Sequence, residues 1–257
     1  MAETPTIKSK VEFFKPSHAT GTWADWELQT GSNPTLSRQR AQTLKENGDE
    51  LNSVQYGAQI AHTENFKAKR VTGAVYAIPL AGEIKEGAHV DSVQVSYTQT
   101  DAPTMNVTSH RHADINGTPQ DHDLCRVYEN TVQLPARAIG VPSVLKFKAS
   151  GGTEKNVFTL PVGIGMRSIG YTLAVTHVDE PDGDGNHLAG QNHDGVETLN
   201  IEFTGKVSVD ELAIDTEWKL PDNDADGQSN TGATTKSITL TKHVGYSTTK
   251  TPTGGDK

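Results

Sequence analysis

Hydrophobic and polar positions alternate most cleanly between Gly87 and His112, in GAHVDSVQVSYTQTDAPTMNVTSHRH. Val93, Val95 and Tyr97 take turns with Gln94, Ser96 and Thr98, which predicts a strand with one apolar and one hydroxyl-rich side. Thr100-Asp101-Ala102-Pro103 breaks the run, because Pro103 fixes φ and lacks an N–H while Asp101 can bond its own backbone. Met105 and Val107 then resume the alternation, so the stretch reads as strand, tight turn, strand.

The same period recurs along most of the chain. TLSRQRAQTLKENGDELNSVQYG has two readings: a helix from a Ser37 cap to Gly48, or a hairpin turning on Asn47-Gly48-Asp49 with Leu51, Val54 and Tyr56 on its second arm. The positive φ that Asn and Gly tolerate favours the hairpin. Glu64, Phe66 and Ala68 alternate with Lys67 and Lys69, and 71–80 forms a short apolar strand ending at Pro79. Leu134-Pro135-Ala136-Arg137-Ala138-Ile139 reads as a single helical turn with proline at its start. Val141-Pro142 and Ser150-Gly151-Gly152 flank VLKFKA and suggest a boundary. Beyond it, Ile169, Tyr171, Leu173, Val175 and His177 form a strand that ends in the acidic turn Asp179-Glu180-Pro181-Asp182, and 179–195 reads as a polar loop. ETLNIEFTG, KVSVDELAIDTEWKL, with Leu212, Ile214 and Trp218 on one side, and SITLTKHVGY supply further strands. The predicted fold is all-β, an antiparallel β-sandwich or barrel with at most one or two short helices. Two tandem β halves are left open: a first domain at 1–142, a second domain or elaboration at 143–246, and a flexible tail at 247–257.

Composition narrows the functional classes. With 257 residues the chain can bury its own core, and the single Cys125 excludes an internal disulfide framework and argues against a cysteine zinc site. A formal charge of −9 argues against a surface that grips nucleic acid. No window approaches the ~18 apolar residues of a spanning helix, and the first residues lack the pattern of an export signal.

Candidate chemistry is sparse. Asp222, Asp224 and Asp226 with Gly227 open like a calcium loop, offering carboxylates at alternate positions, but Ala233 stands where a bidentate glutamate belongs. A solvated acidic turn is the plainer reading, and Asp182-Gly183-Asp184-Gly185-Asn186 is a weaker version of the same idea. No resident cofactor is expected, calcium being the ion the loop could take. His110 and His112 share one side of a strand, with Asp121, His122 and Asp123 nearby, and could begin a zinc or iron site that still needs a third ligand. His177, His187 and His193 read as hydrogen-bonding or interface residues. Trp23 and Trp26 suit packing or an interface, with stacking on a sugar as the rarer use. No nucleophile elbow, phosphate-binding glycine loop or HExxH helix is present, and a non-enzyme is expected.

The order KENGDELNSVQYGAQIAHTENFKAKR and then IPLAGEIKEGAHVDSVQVSYTQTDAPTMNVTSH resembles the layout of tail tube proteins of tailed bacteriophages. There, a hairpin around a Gly-Asp turn and a strand rich in Thr and Glu precede a glycine-marked turn and a strand pair. The resemblance covers residues 36–112. It implies a virion structural protein made in the bacterial cytoplasm, with subunits that close into a ring, usually a hexamer. Stacked rings would form a conduit through which DNA passes during ejection without specific binding. The partners implied are other copies of the chain and other virion proteins, with no membrane. The alternative from a different class is a non-catalytic β-sandwich module that binds a glycan or host surface, with calcium as an aid.

Overall fold

The computed structural model describes residues 25–31, 35–69, 73–85, 87–113, 119–120, 126–182, 187–205, 211–220 and 235–249. The described residues form strands β1 (Trp26–Gly31), β2 (Thr35–Leu44), β3 (Glu50–Ala68), β4 (Ile84–Lys85), β5 (Ala88–Thr98), β6 (Thr104–Ala113), β7 (Pro119–Gln120), β8 (Arg126–Tyr128) and β9 (Val132–Gln133). They continue with β10 (Lys146–Lys148), β11 (Glu154–Asn156), β12 (Phe158–Thr159), β13 (Gly165–Pro181), β14 (His187–Thr204), β15 (Ala213–Ile214), β16 (Thr235–Val244) and β17 (Tyr246–Thr249). The fold is all-β, and no α-helix occurs among the described residues.

Ten strands make one antiparallel sheet that curls into a half-barrel. Its spine runs β1-β3-β6-β5-β13-β14-β16, with β2 added to β3, β4 to β5 and β7 to β6. The alternation in Ala88–Thr98 behaves as its pattern requires: Val93, Val95 and Tyr97 are fully buried, while Gln94 is exposed. Across the strand, Val93 faces Val107 and Val95 faces Met105 on β6, and Leu173 and Tyr171 lie opposite on β13. Short sheets β9-β10-β11, β12-β15 and β8-β17 complete the body. Edge-to-face pairs join them to the core, Phe147 with Trp218 at 6.0 Å and Phe158 with Phe203 at 6.1 Å. Strands from 1–142 and from 143–246 share the ten-stranded sheet, through Ser92–Thr98 paired with Ser168–Ala174.

The hairpin reading of 36–56 is the one observed. Gly48 has φ +84°, and the Asn47 side chain bonds both the backbone N–H and the carboxylate of Asp49, at 3.2 and 2.6 Å. The helical turn expected at Leu134–Ile139 is absent. Pro135 instead bridges Val75, with Tyr76 N donating to the Leu134 carbonyl and Ala136 N to the Ala74 carbonyl, so the flanking N–H groups find partners across the chain. Correspondingly, the described part of 71–80 is not a regular strand, although Tyr76 and Ile78 are buried. The described part of the polar stretch 179–195 is also paired strand: pairing of β13 with β14 continues to Pro181 opposite His187.

Candidate functional site: a buried histidine layer and a projecting ribbon

Strand alternation sends every second side chain to the same side. Four short motifs in this chain exploit that spacing: His62-Thr63-Glu64, His89-Val90-Asp91, His110-Arg111-His112 and His177-Val178-Asp179. Sheet pairing then gathers the last three. His89 stands opposite His110 in the β5–β6 register, and a bulge between Val90 and Ser92 leaves Asp91 as the extra residue. β6 buries both parities here, with Val107 and Ser109 on one and His110 and His112 on the other. β13 and β14 bring His177 opposite Asn192, beyond a second bulge at 174–176.

The resulting layer contains four imidazoles, two carboxylates and one amide. His89, His112 and His110 are 0%, 2% and 6% exposed. Asp91 Oδ1 lies 2.8 Å from His89 Nδ1 and 2.6 Å from His110 Nδ1. Asp179 Oδ1 lies 2.6 Å from His177 Nε2 and 3.0 Å from His112 Nε2, and Gln59 Nε2 donates to Asp179 Oδ2. Asn192 Oδ1 faces two rings, at 2.8 Å from His89 Nε2 and 2.7 Å from His177 Nδ1. Its amide orientation is determined, since Asn192 Nδ2 donates to the Arg126 carbonyl at 2.7 Å and a flip would set two acceptors against each other. Ring centroids of His89 and His177 are 4.5 Å apart, and those of His110 and His177 5.0 Å.

Electrostatics follow from this geometry. Burial alone would raise the Asp91 pKa, but hydrogen bonds from His110 and His89 outweigh it and hold the carboxyl below its ordinary value. The same contest at Asp179, decided by His112 and His177, holds that carboxyl far below the usual range. Burial pushes the His110 imidazole down, against the pull of Asp91, so its neutral form is favoured.

Two glycines are cut to fit the layer. A Cβ on Gly190 would lie 2.8 Å from His177 Nε2 and 3.1 Å from Asp179 Oδ1. Gly82, at φ +81°, passes over Asn192 so closely that a Cβ would come within 2.1 Å of the Arg126 carbonyl. A cavity on the other side of the β13–β14 hairpin is lined by Arg126, Val178, Glu180, Gln191 and His193. Val178, Glu180 and Gln191 occupy the strand positions between those of the layer, and Gly190 of the layer also lies in the cavity wall.

A second feature lies at the other end of β3. From Gln59 onward β3 pairs with β6 on one edge, but Glu50–Ala58 has only β2 beside it among the described residues. A bulge opposite Arg38, with Gly57 at φ +59°, bends this two-stranded ribbon where it leaves the sheet. Nine residues at ~3.3 Å each carry it about 30 Å outward. Leu44 and Leu51, near its tip, are 53% and 62% exposed.

Of the residues singled out in the sequence, His110 and His112 lie together as expected. The side chains brought to them are His177, from the end of a predicted strand, and Asp179, from the stretch that read as a loop. His193 lines the outer cavity, and His187 begins β14. Trp26 is buried against Tyr76, with Nε1 donating to the Ala77 carbonyl at 3.0 Å, which removes it from any sugar-stacking surface. The calcium-loop candidates Asp222, Asp224 and Asp226 lie outside the described residues, as do Trp23, Asp121, His122, Asp123, Cys125 and 183–186. His89, Asp91 and Asn192 were not singled out, although HVD occurs at both 89–91 and 177–179. No family model and no curated protein matches the chain.

Proposed function

We propose that the chain is a structural subunit that assembles with copies of itself, using the β2–β3 ribbon to reach a neighbour in a ring. Stacked rings would then form a conduit, as the resemblance to phage tail tube proteins implies. The observation that carries this reading is the ribbon itself. A lone two-stranded ribbon is marginally stable in water, and this one carries Leu44 and Leu51 exposed roughly 20 Å along it from the point where it leaves the sheet. A second copy laid against it would cover those leucines. It would also complete the outer edge of β2, which pairs only β3 among the described strands. A net charge of −9 suits a channel wall that lets DNA slide without adhering.

The test compares the wild-type chain with Leu44→Lys/Leu51→Lys by sedimentation velocity and negative-stain microscopy. Rings or tubes are expected from the wild type. The double variant should be monomeric, with unchanged far-UV circular dichroism and Tm. A wild type that stays monomeric at high concentration, or a variant that assembles equally well, refutes the reading.

A further inference from the structure

The hydrogen-bond ledger of the histidine layer does not balance with neutral rings. Six ring nitrogens face carboxylate or amide oxygens: both nitrogens of His89 and of His177, Nδ1 of His110 and Nε2 of His112. A neutral imidazole has one N–H, so His89 and His177, each hydrogen-bonded through both nitrogens, are one N–H short apiece. Asp91 and Asp179 add two negative charges. An ion on Nε2 of His177 would remove that ring's shortfall, leaving its N–H at Nδ1 for Asn192, and the charge of a dication would offset the two carboxylates.

We infer that His110, His112, His177 and Asp179 bind one divalent first-row transition ion, zinc being the expected occupant, at a closed structural site. One donor atom from each of these four lies within 4.8 Å of the others, a spacing that a single small cation can span. Three imidazoles and one carboxylate suit zinc and its neighbours and do not suit calcium or magnesium, which take oxygen. The surroundings match what such a site needs in its outer contacts. Asp91 holds the Nδ1 side of His110, Asn192 holds the Nδ1 side of His177, and Gln59 holds Oδ2 of Asp179, so three of the four groups are oriented from behind. One dication neutralises Asp91 and Asp179. Gly190 keeps the space beside His177 Nε2 and Asp179 Oδ1 clear of a side chain. Four protein donors fill a tetrahedral shell, which argues for a structural ion over a catalytic one with an open coordination position. The ion would join β6 to β13, two strands from opposite halves of the chain. This inference does not depend on the assembly reading above.

The test uses the tag-free full chain. Metal content is measured as purified, and the chelator-treated protein is titrated with Zn2+ by calorimetry and with Co2+ by visible absorption. One Zn2+ per chain is expected, with Co2+ bands of a site containing nitrogen and oxygen ligands and a Tm rise of roughly 5–10 °C at hundredfold excess over Kd. His177→Ala should abolish binding. Asp91→Asn, which removes only an orienting contact, should keep the fold and weaken affinity about 10–100-fold. His193→Ala and His243→Ala should bind as the wild type does. A metal-free wild type whose Tm ignores Zn2+ overturns the inference and assigns the layer two additional protons. Zinc binding that survives both His177→Ala and Asp91→Asn also overturns it, as does a chain that takes Ca2+ in place of Zn2+.

Discussion

Four hydrogen bonds end on the Glu197 carboxylate: from Thr131 N at 2.5 Å, Val132 N at 3.1 Å, the Tyr171 hydroxyl at 2.9 Å, and the Thr131 hydroxyl. Glu197 is fully buried, and its charge is answered through Thr131 by Lys242, whose Nζ lies 3.2 Å from Thr131 Oγ1 and 3.1 Å from Glu217 Oε2. Burial and the neighbouring Glu197 charge push the Tyr171 phenol well up, so it stays a donor. Glu197→Ala strands these donors away from water and should cost about 3 kcal/mol or more in urea unfolding; Glu197→Gln, which keeps one acceptor, should cost roughly half as much. Equal stability of the two variants would mean that water replaces the carboxylate. The histidine layer shows how far such residues can be read from a sequence. His110 and His112 declared themselves by spacing, and the repeated HVD carried the same signal at His89 and His177. What no spacing could supply was the register that sets His89 against His110 and His177 against Asn192. That register depends on two bulges, and a bulge of one residue leaves no mark in polar sequence.

At the scale of elements, alternation of apolar residues was a sound guide wherever one side of a strand meets the core, as in Val93, Val95 and Tyr97 or Ile169, Tyr171 and Leu173. It failed where a strand buries polar groups. β13 beyond His177 and β14 before Val196 carry Asp179, Asn192 and Gly190 on their buried side, so the paired hairpin looked like a loop. The β2–β3 ribbon is the opposite case, visible through its Asn47-Gly48-Asp49 turn although it has almost no core side to pattern. Its exposure predicts fast exchange: in dispersed protein, the amides of Gln39–Leu44 and Glu50–Tyr56 should lose protection well before those of Val93–Tyr97. In assembled protein the same ribbon amides should slow by at least tenfold, because a covering neighbour removes the open state. Hydrogen-exchange mass spectrometry of the two forms decides it, and unchanged ribbon exchange on assembly would place the subunit contact elsewhere.

For the whole molecule, the decisive fact is that β5 has β6 on one edge and β13 on the other. Val141-Pro142 and Ser150-Gly151-Gly152 suggest a boundary in sequence, and the ten-stranded sheet contains strands from both sides of it. A fragment of residues 1–142 would expose the β5 edge at Ser92–Thr98 and strip Leu173 and Tyr171 from beside Val93 and Val95. The complementary fragment would lose the strand on which β13 is laid. Each would also hold part of the histidine layer, His89, Asp91, His110 and His112 in one and His177, Asp179 and Asn192 in the other. The full chain should therefore melt in one calorimetric transition, with calorimetric and van't Hoff enthalpies in agreement. Neither fragment should melt cooperatively alone, and the two expressed together should recover the native near-UV spectrum. Two resolved transitions, or a 1–142 fragment that folds by itself, would show that the shared sheet is a contact between independent domains.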